Sequence, residues 1–327
     1  MLLALRFGLA AALIWAMVRV GWLNPARVAS VGSKPGLLAA AAVLMLLGLV
    51  LTIVRWQTLL AVQGIRPRPR EVFRLSFIGF FFSCVIPGSI SGDAVKAWMV
   101  AKTHGKAAEA VTTVLMDRFF GLYTFVLTAA AAILAYWSLG KLPAEWSRAG
   151  LMTLTWFILG LAGAMTVFLL VVLSRRARAS RRIRNAILRL PLGSNLAKLH
   201  DAVHLYRDHR ASLAAVFLLS VAAQVPMILC NYTLGKAIGD GGLAATAYFF
   251  LAPLGLVINT IPALPGGVGT GEAGYKVLFS AFGSDAGAEV AALWHVLFFA
   301  WSLPGLVLYL AGRRTPAPPH EQSPGSL

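Results

Sequence analysis

Acidic side chains are scarce in this chain: 12 Asp and Glu stand against 29 Lys and Arg in 327 residues, and charged residues of either sign make up only 13%. Soluble domains carry about a quarter of their residues as charges, so a chain this poor in them cannot clothe a water-facing surface. Cysteine is scarcer still. Cys84 and Cys230 stand alone in apolar segments, with no CxxC spacing and no His cluster nearby, which argues against a disulfide framework and a structural zinc site. No GxxxxGK[ST] run occurs, so ATP hydrolysis by a P-loop is excluded. No Ser/His/Asp or paired-carboxylate arrangement is apparent either. Gly269, Gly271 and Gly274 fit GxGxxG formally, but no strand precedes them and no βαβ unit surrounds them, so dinucleotide binding is not expected. His200 and His204, beside Asp201, read better as a solvated face of a basic loop than as metal ligands. The expectation is a protein that is not an enzyme and needs no cofactor or metal.

Apolar residues are what the chain has in quantity, at 58% with a mean hydropathy of +0.76. These values predict an all-α polytopic membrane protein. The formal net charge of +17 would suggest nucleic acid in a soluble protein, but the Lys and Arg gather between apolar segments, as the positive-inside rule expects. The charge therefore reports topology.

Long apolar windows fall at residues 2–22, 36–54, 110–137, 150–173, 211–235, 244–264 and 288–311, with short ones at 73–86 and 272–282. Arg6 followed by an apolar stretch resembles a signal-peptide core. No small-x-small cleavage site follows it, so it reads as a first span or signal anchor. Two loops are rich in arginine, residues 55–74 (Arg55, Arg66, Arg68, Arg70, Arg74) and residues 174–210, and both should be cytoplasmic, as should Arg313 and Arg314.

Parity then constrains the short segments. Residues 73–86, at about 1.5 Å per residue, cover roughly 21 Å against a hydrocarbon core of about 30 Å, and the chain breaks immediately afterwards at Pro87-Gly88. Three crossings between the two arginine-rich loops would put one of them outside. A re-entrant hairpin over about 73–106 leaves two crossings and both loops inside. The same argument makes residues 244–282 a second hairpin, broken at Pro265-Gly266-Gly267 and inserted from the opposite face. The expected architecture is one integral domain, residues 1–314, with about six full spans, two oppositely inserted hairpins, both termini cytoplasmic and a disordered tail over 315–327. Broken segments in corresponding positions of two halves suggest an inverted repeat, with a site near mid-membrane between the halves. In the basic loop, Ile183, Ile187, Leu190, Leu196, Leu199, Val203 and Tyr206 recur at helical spacing, which predicts interfacial amphipathic helices.

Candidate functional residues follow from cost. Asp117 and Arg118 stand inside a predicted span, where each charge costs on the order of 2.5–3.5 kcal/mol, so each should face protein or a wet cavity and find a partner. Adjacent helical residues point about 100° apart and cannot satisfy one another. Asp93 and Glu272, at the two hairpin turns, are the leading carboxylates for Arg118, giving one coupled site of Asp93, Arg118 and Glu272. A purely structural ion pair is the alternative for Arg118. Helix capping is the alternative for both acids. Backbone N–H groups at the helix starts near Gly88, Gly92, Gly266, Gly267 and Gly269 would also receive a phosphate, and Lys96 adds a cation beside them.

The combination Trp56-x-x-Leu59-Leu60, Phe77-x-Gly79 leading to Pro87-Gly88 and Gly92-Asp93, Asp117-Arg118-x-x-Gly121-Leu122, and Pro265-Gly266-Gly267-Val268-Gly269-x-x-Glu272 resembles the transmembrane, flippase-like region of the lysylphosphatidylglycerol synthase family. The likeness runs from about Gly36 to Ala311. It departs at Ser91, where that family tends to have glycine, and at Lys96, where arginine is commoner. The resemblance implies a membrane region that moves aminoacylated phospholipid between leaflets while a separate soluble domain makes the lipid. With the chain given ending at Leu327, a stand-alone member without that domain is expected. The functional expectation is a flippase for phospholipid or another lipid-phosphate in the cytoplasmic membrane of a bacterium. Its partners would be anionic or aminoacylated phospholipids, with a lipid-synthesis enzyme as a further candidate partner and no nucleic acid. The alternatives are a non-transporting accessory subunit of a lipid-modifying enzyme and a membrane enzyme acting on lipid-phosphate.

Overall fold

The computed structural model describes residues 15, 17–19, 21–86, 91–140, 151–172, 174, 202–203, 205–259 and 269–313. Most of the expected first span, the hairpin-turn residues Pro87, Gly88, Pro265, Gly266 and Gly267, most of the basic loop, both of its paired histidines and the 315–327 tail lie outside these residues. Among the described residues the regular structure is helical: α1 (Pro25–Ser30), α2 (Pro35–Val62), α3 (Pro69–Val85), α4 (Ser91–His104), α5 (Ala107–Ser138), α6 (Leu151–Val172), α7 (Arg210–Ile238), α8 (Ala245–Asn259), α9 (Thr270–Ser280) and α10 (Gly287–Arg313). Prolines at the first helical position start α1, α2 and α3, where the missing N–H removes no bond. Asn24 caps α1 through Oδ1, which accepts from the Ala26 N–H at 3.0 Å. Gly239, with φ +82°, closes α7 in the left-handed conformation that a side chain would resist.

Helices α2, α5, α6, α7 and α10 are long and apolar enough to cross a bilayer. Large apolar side chains face outward, as Trp156, Phe157, Phe168 and Leu170 do on α6, while Asp93, Lys96, Asp117, Glu272 and Gln224 are buried. A soluble protein sorts these groups the other way. The chain is a multi-pass membrane protein. The shorter helices form the two expected hairpins, α3 against α4 and α8 against α9. Each is closed by glycine. A Cβ on Gly92 would lie 1.9 Å from Gly79 O, and one on Gly255 would lie 2.0 Å from Tyr275 Cε2, so only bare backbone permits such close approach.

The packing repeats. Helices α2 and α7 form the largest interface and run antiparallel, since Lys34 Nζ donates to Ala237 O at 2.7 Å while Tyr206, just before α7, donates to Leu59 O at 3.1 Å. Exchanging α2 with α7, α3 with α8, α4 with α9 and α5 with α10 maps each contact among these helices onto another. Thus α3 packs on α10 as α8 packs on α5, α4 on α5 as α9 on α10, and α2 on α5 as α7 on α10. Corresponding helices of opposite direction are the signature of an inverted repeat, so the two halves join along α2 and α7.

One boundary needs correction. The apolar window ending at residue 54 placed Arg55 in an arginine-rich loop, whereas α2 continues to Val62 and Arg55 is buried at 5% exposure. The apolar run Leu59, Leu60 and Val62 beyond it sustains the helix, and Arg55 is tolerated because a carboxylate meets it. Tyr206 and Ala202 show the end of the basic loop docked on the same helix, with Gln63 Nε2 donating to Ala202 O at 2.7 Å. At the opposite end of the molecule Lys276 donates to Asp285 at 2.8 Å, and this hydrogen bond holds the exposed Asp285 carboxyl below its usual range.

Candidate functional site

Two charged pairs grow from the Asp117-Arg118 doublet. Because neighbouring helical residues diverge by about 100°, Asp117 turns toward α2 and Arg118 toward α4. Arg55 Nε donates to Asp117 Oδ1 at 2.8 Å, and Arg55 Nη1 donates to Ser220 Oγ on α7 at 3.3 Å. Gly121, one helical turn on, leaves room for the guanidinium, whose nitrogens would sit 3.4 Å from a Cβ there. Arg118 Nε meets Asp93 Oδ2 directly, and Lys96 Nζ takes the other oxygen at 2.9 Å.

Lys96 is itself buried. It lies 4.8 Å from the centre of the Trp56 ring, whose Nε1 donates to Thr113 Oγ1 at 3.3 Å. A desolvated ammonium held by a carboxylate and an aromatic face is a fixed cation. Ser91 secures the start of α4 by donating to Ile86 O at 2.9 Å. Arg118 differs from its neighbours in access. Its side chain is 44% exposed, against 7% for Arg55 and Lys96.

These groups share a cavity of about 460 Å³ between the two halves, within the usual range for small-molecule sites. Arg55, Asp93, Lys96, Asp117 and Arg118 form its charged end, while Leu49, Phe80, Leu122, Phe125, Met227 and Phe298 supply an apolar wall. Gln224 on α7, Asn259 at the end of α8 and Trp294 on α10 bring in the second half.

Glu272 takes a different partner from the one expected of it. Its Oε1 meets His295 Nδ1 at 2.9 Å and its Oε2 accepts from the Gly269 N–H, so the three-residue site of Asp93, Arg118 and Glu272 resolves into two pairs in equivalent places. In each half a carboxylate in the first turn of the second hairpin helix holds a basic side chain of the following span. Gly92-Asp93 precedes Arg118, and Gly271-Glu272 precedes His295. The capping alternative also holds for Glu272, which reaches back to the helix start through Gly269.

Arg55, His295, Gln224, Asn259 and Trp294 were not singled out from the sequence. Arg55 and His295 each carried a legible signal, since a basic side chain within an apolar helix needs a partner. No group of metal-ligating residues occurs among the described residues, and Cys84 and Cys230 are free.

The whole chain bears the stamp of one family. Residues 1–308 match the family described as the lysylphosphatidylglycerol synthase TM region. The chain belongs to that family. A UPF0104 membrane protein of Methanothermobacter thermautotrophicus is 24% identical over 284 residues, covering 80% of this chain and 78% of the relative. No solved structure matches the chain. Membership of a family named for a lipid synthase ties this membrane protein to lipids.

Proposed function

We propose that this protein translocates a phospholipid or other lipid-phosphate between leaflets, with the phosphate received at Arg118 and Lys96. The observation that carries this reading is the charge of the cavity. Among its described lining residues three cations face two carboxylates, which leaves one positive charge. The undescribed turns, residues 87–90 and 260–268, contain no ionisable side chain to cancel it. A net positive charge in a membrane cavity is costly, and an anionic ligand relieves the cost. Arg118 is the accessible member, with a planar fork suited to phosphate.

The apolar wall of the same cavity gives acyl chains a surface to follow. The antiparallel halves supply two related arrangements around one site, the geometry on which alternating access rests. We place the protein in the cytoplasmic membrane with both termini inside, from the arginine-rich loops. It acts as a carrier and not as an enzyme, with membrane lipids as its partners.

Reconstitution tests the reading. Purified protein in vesicles should move a headgroup-labelled anionic lipid between leaflets, and Arg118→Ala should abolish the movement. Movement only in the presence of a second protein would favour an accessory subunit. Chemical alteration of the lipid would favour an enzyme.

A further inference from the structure

From the second half, the same cavity is lined by three uncharged polar side chains that each carry a buried polar atom without a partner. Gln224 is 4% exposed, and its amide nitrogen donates to Thr124 Oγ1 at 2.8 Å, yet its Oε1 has no partner. Neither amide atom of Asn259 has one, nor does Trp294 Nε1. All three side chains line the 460 Å³ cavity. Buried polar atoms are nearly always paired, so several unpaired ones around a single cavity describe a ligand. Gly271 supports the arrangement by lacking a side chain, since a Cβ there would lie 1.9 Å from Asn259 Oδ1.

The kinds of atom narrow the ligand. Trp294 offers a donor, Gln224 an acceptor and Asn259 both, and a hydroxyl answers each because it donates and accepts. The carboxylates of the cavity are already engaged, Asp93 by Lys96 and Arg118, and Asp117 by Arg55. A cationic headgroup would find no open carboxylate among the described lining residues. A single surplus positive charge matches a phosphodiester, with one negative charge, better than a phosphomonoester with up to two.

Resting on the proposed phosphate site, we infer that Gln224, Asn259 and Trp294 form a headgroup subsite selecting a phosphodiester lipid whose headgroup is uncharged and hydroxylated. The aminoacylated class is then disfavoured. Phosphate binds on the α4 and α5 side, and the hydroxyls bind on the α7, α8 and α10 side.

The test uses the full chain in detergent, with lipid retention read by native mass spectrometry. Phosphatidylglycerol is compared with phosphatidylmethanol, which keeps the singly charged phosphodiester and lacks the hydroxyls, and with phosphatidylethanolamine, which adds an ammonium. Phosphatidylglycerol should be retained about tenfold or more over phosphatidylmethanol, because a site built to bond a hydroxyl discriminates against its absence. Trp294→Phe, which keeps the ring stacked on Phe298, and Asn259→Leu should each erode that preference. Phosphatidylmethanol retention reports that the variants are folded. Equal retention of the two anionic lipids overturns the subsite alone. Retention of phosphatidylethanolamine as strong as that of phosphatidylglycerol overturns the preference for an uncharged headgroup, and retention of neither anionic lipid overturns the phosphate site and the subsite together. Competition by deacylated glycerophosphoglycerol as effective as that of the lipid would assign the site to a soluble ligand and overturn the lipid assignment.

Discussion

Arg55 and Asp117 are joined at 2.8 Å across α2 and α5 with both side chains almost fully buried, and this pair fixes the rotation of α5 that aims Arg118 at Asp93. If Asp117 turned elsewhere, the 100° between neighbours would carry Arg118 away from α4. The structural pair thus positions the accessible one. The doublet that looked like a single candidate site in the sequence divides its work between holding and binding.

Removing one partner of that pair should be worse than removing both. Arg55→Met alone leaves Asp117 uncompensated, a situation that costs about 3–5 kcal/mol. The double variant Arg55→Met, Asp117→Leu removes the stranded charge, so its thermal unfolding midpoint in detergent should recover much of the loss. A double variant no more stable than the single one would show that the pair does not couple.

Arg118 should behave in the opposite way, because its side chain is 44% exposed and serves the cavity. Arg118→Ala should abolish retention of anionic lipid while changing the unfolding midpoint less than Arg55→Met does. Arg118→Lys keeps the charge but loses the fork, and should retain lipid weakly. Lipid retention and unfolding measured on the same preparations separate the two roles.

The hairpins were legible in the sequence because two rules met there. Residues 73–86 are too short to cross a membrane, and parity forbade a crossing. The Asp93–Arg118 pairing was legible from cost, since each needed a partner and few acids exist. Arg55 was misplaced because an apolar window ends at the first charge, while a helix ends only where its hydrogen bonds do. His295 was missed because its partner Glu272 had been matched with Arg118, and sequence alone does not say which half a carboxylate faces. Gln224, Asn259 and Trp294 carried no signal at all, because an uncharged polar side chain in a span is unremarkable until its neighbours are known to leave it unpaired.

Glycine substitutions should divide by environment. A Cβ on Gly92 would meet Gly79 O at 1.9 Å, backbone that cannot step aside, so Gly92→Ala should destabilise by about 1–3 kcal/mol or more. Gly160 on α6 has nothing within 4 Å of its Cβ position, and Gly160→Ala should be neutral or slightly stabilising through helix propensity. Similar losses from both would mean that the close approach of α3 and α4 contributes nothing special.

Topology supplies the last prediction, because the proposed orientation rests on arginine and on the number of crossings. In the proposed topology α5 and α6 both cross and the hairpin of α3 and α4 returns to the face it entered, which would put residues 63–68 and 174–210 on one face and the α5–α6 loop on the other. In a variant with Cys84 and Cys230 replaced, a cysteine in the 141–148 loop should react with an impermeant thiol reagent added outside intact cells. A cysteine at Ser180 should react only after the membrane is opened. Labelling at Ser180 from outside would reverse the orientation if the 141–148 loop were then protected. Labelling of both from outside would mean that α6 does not cross.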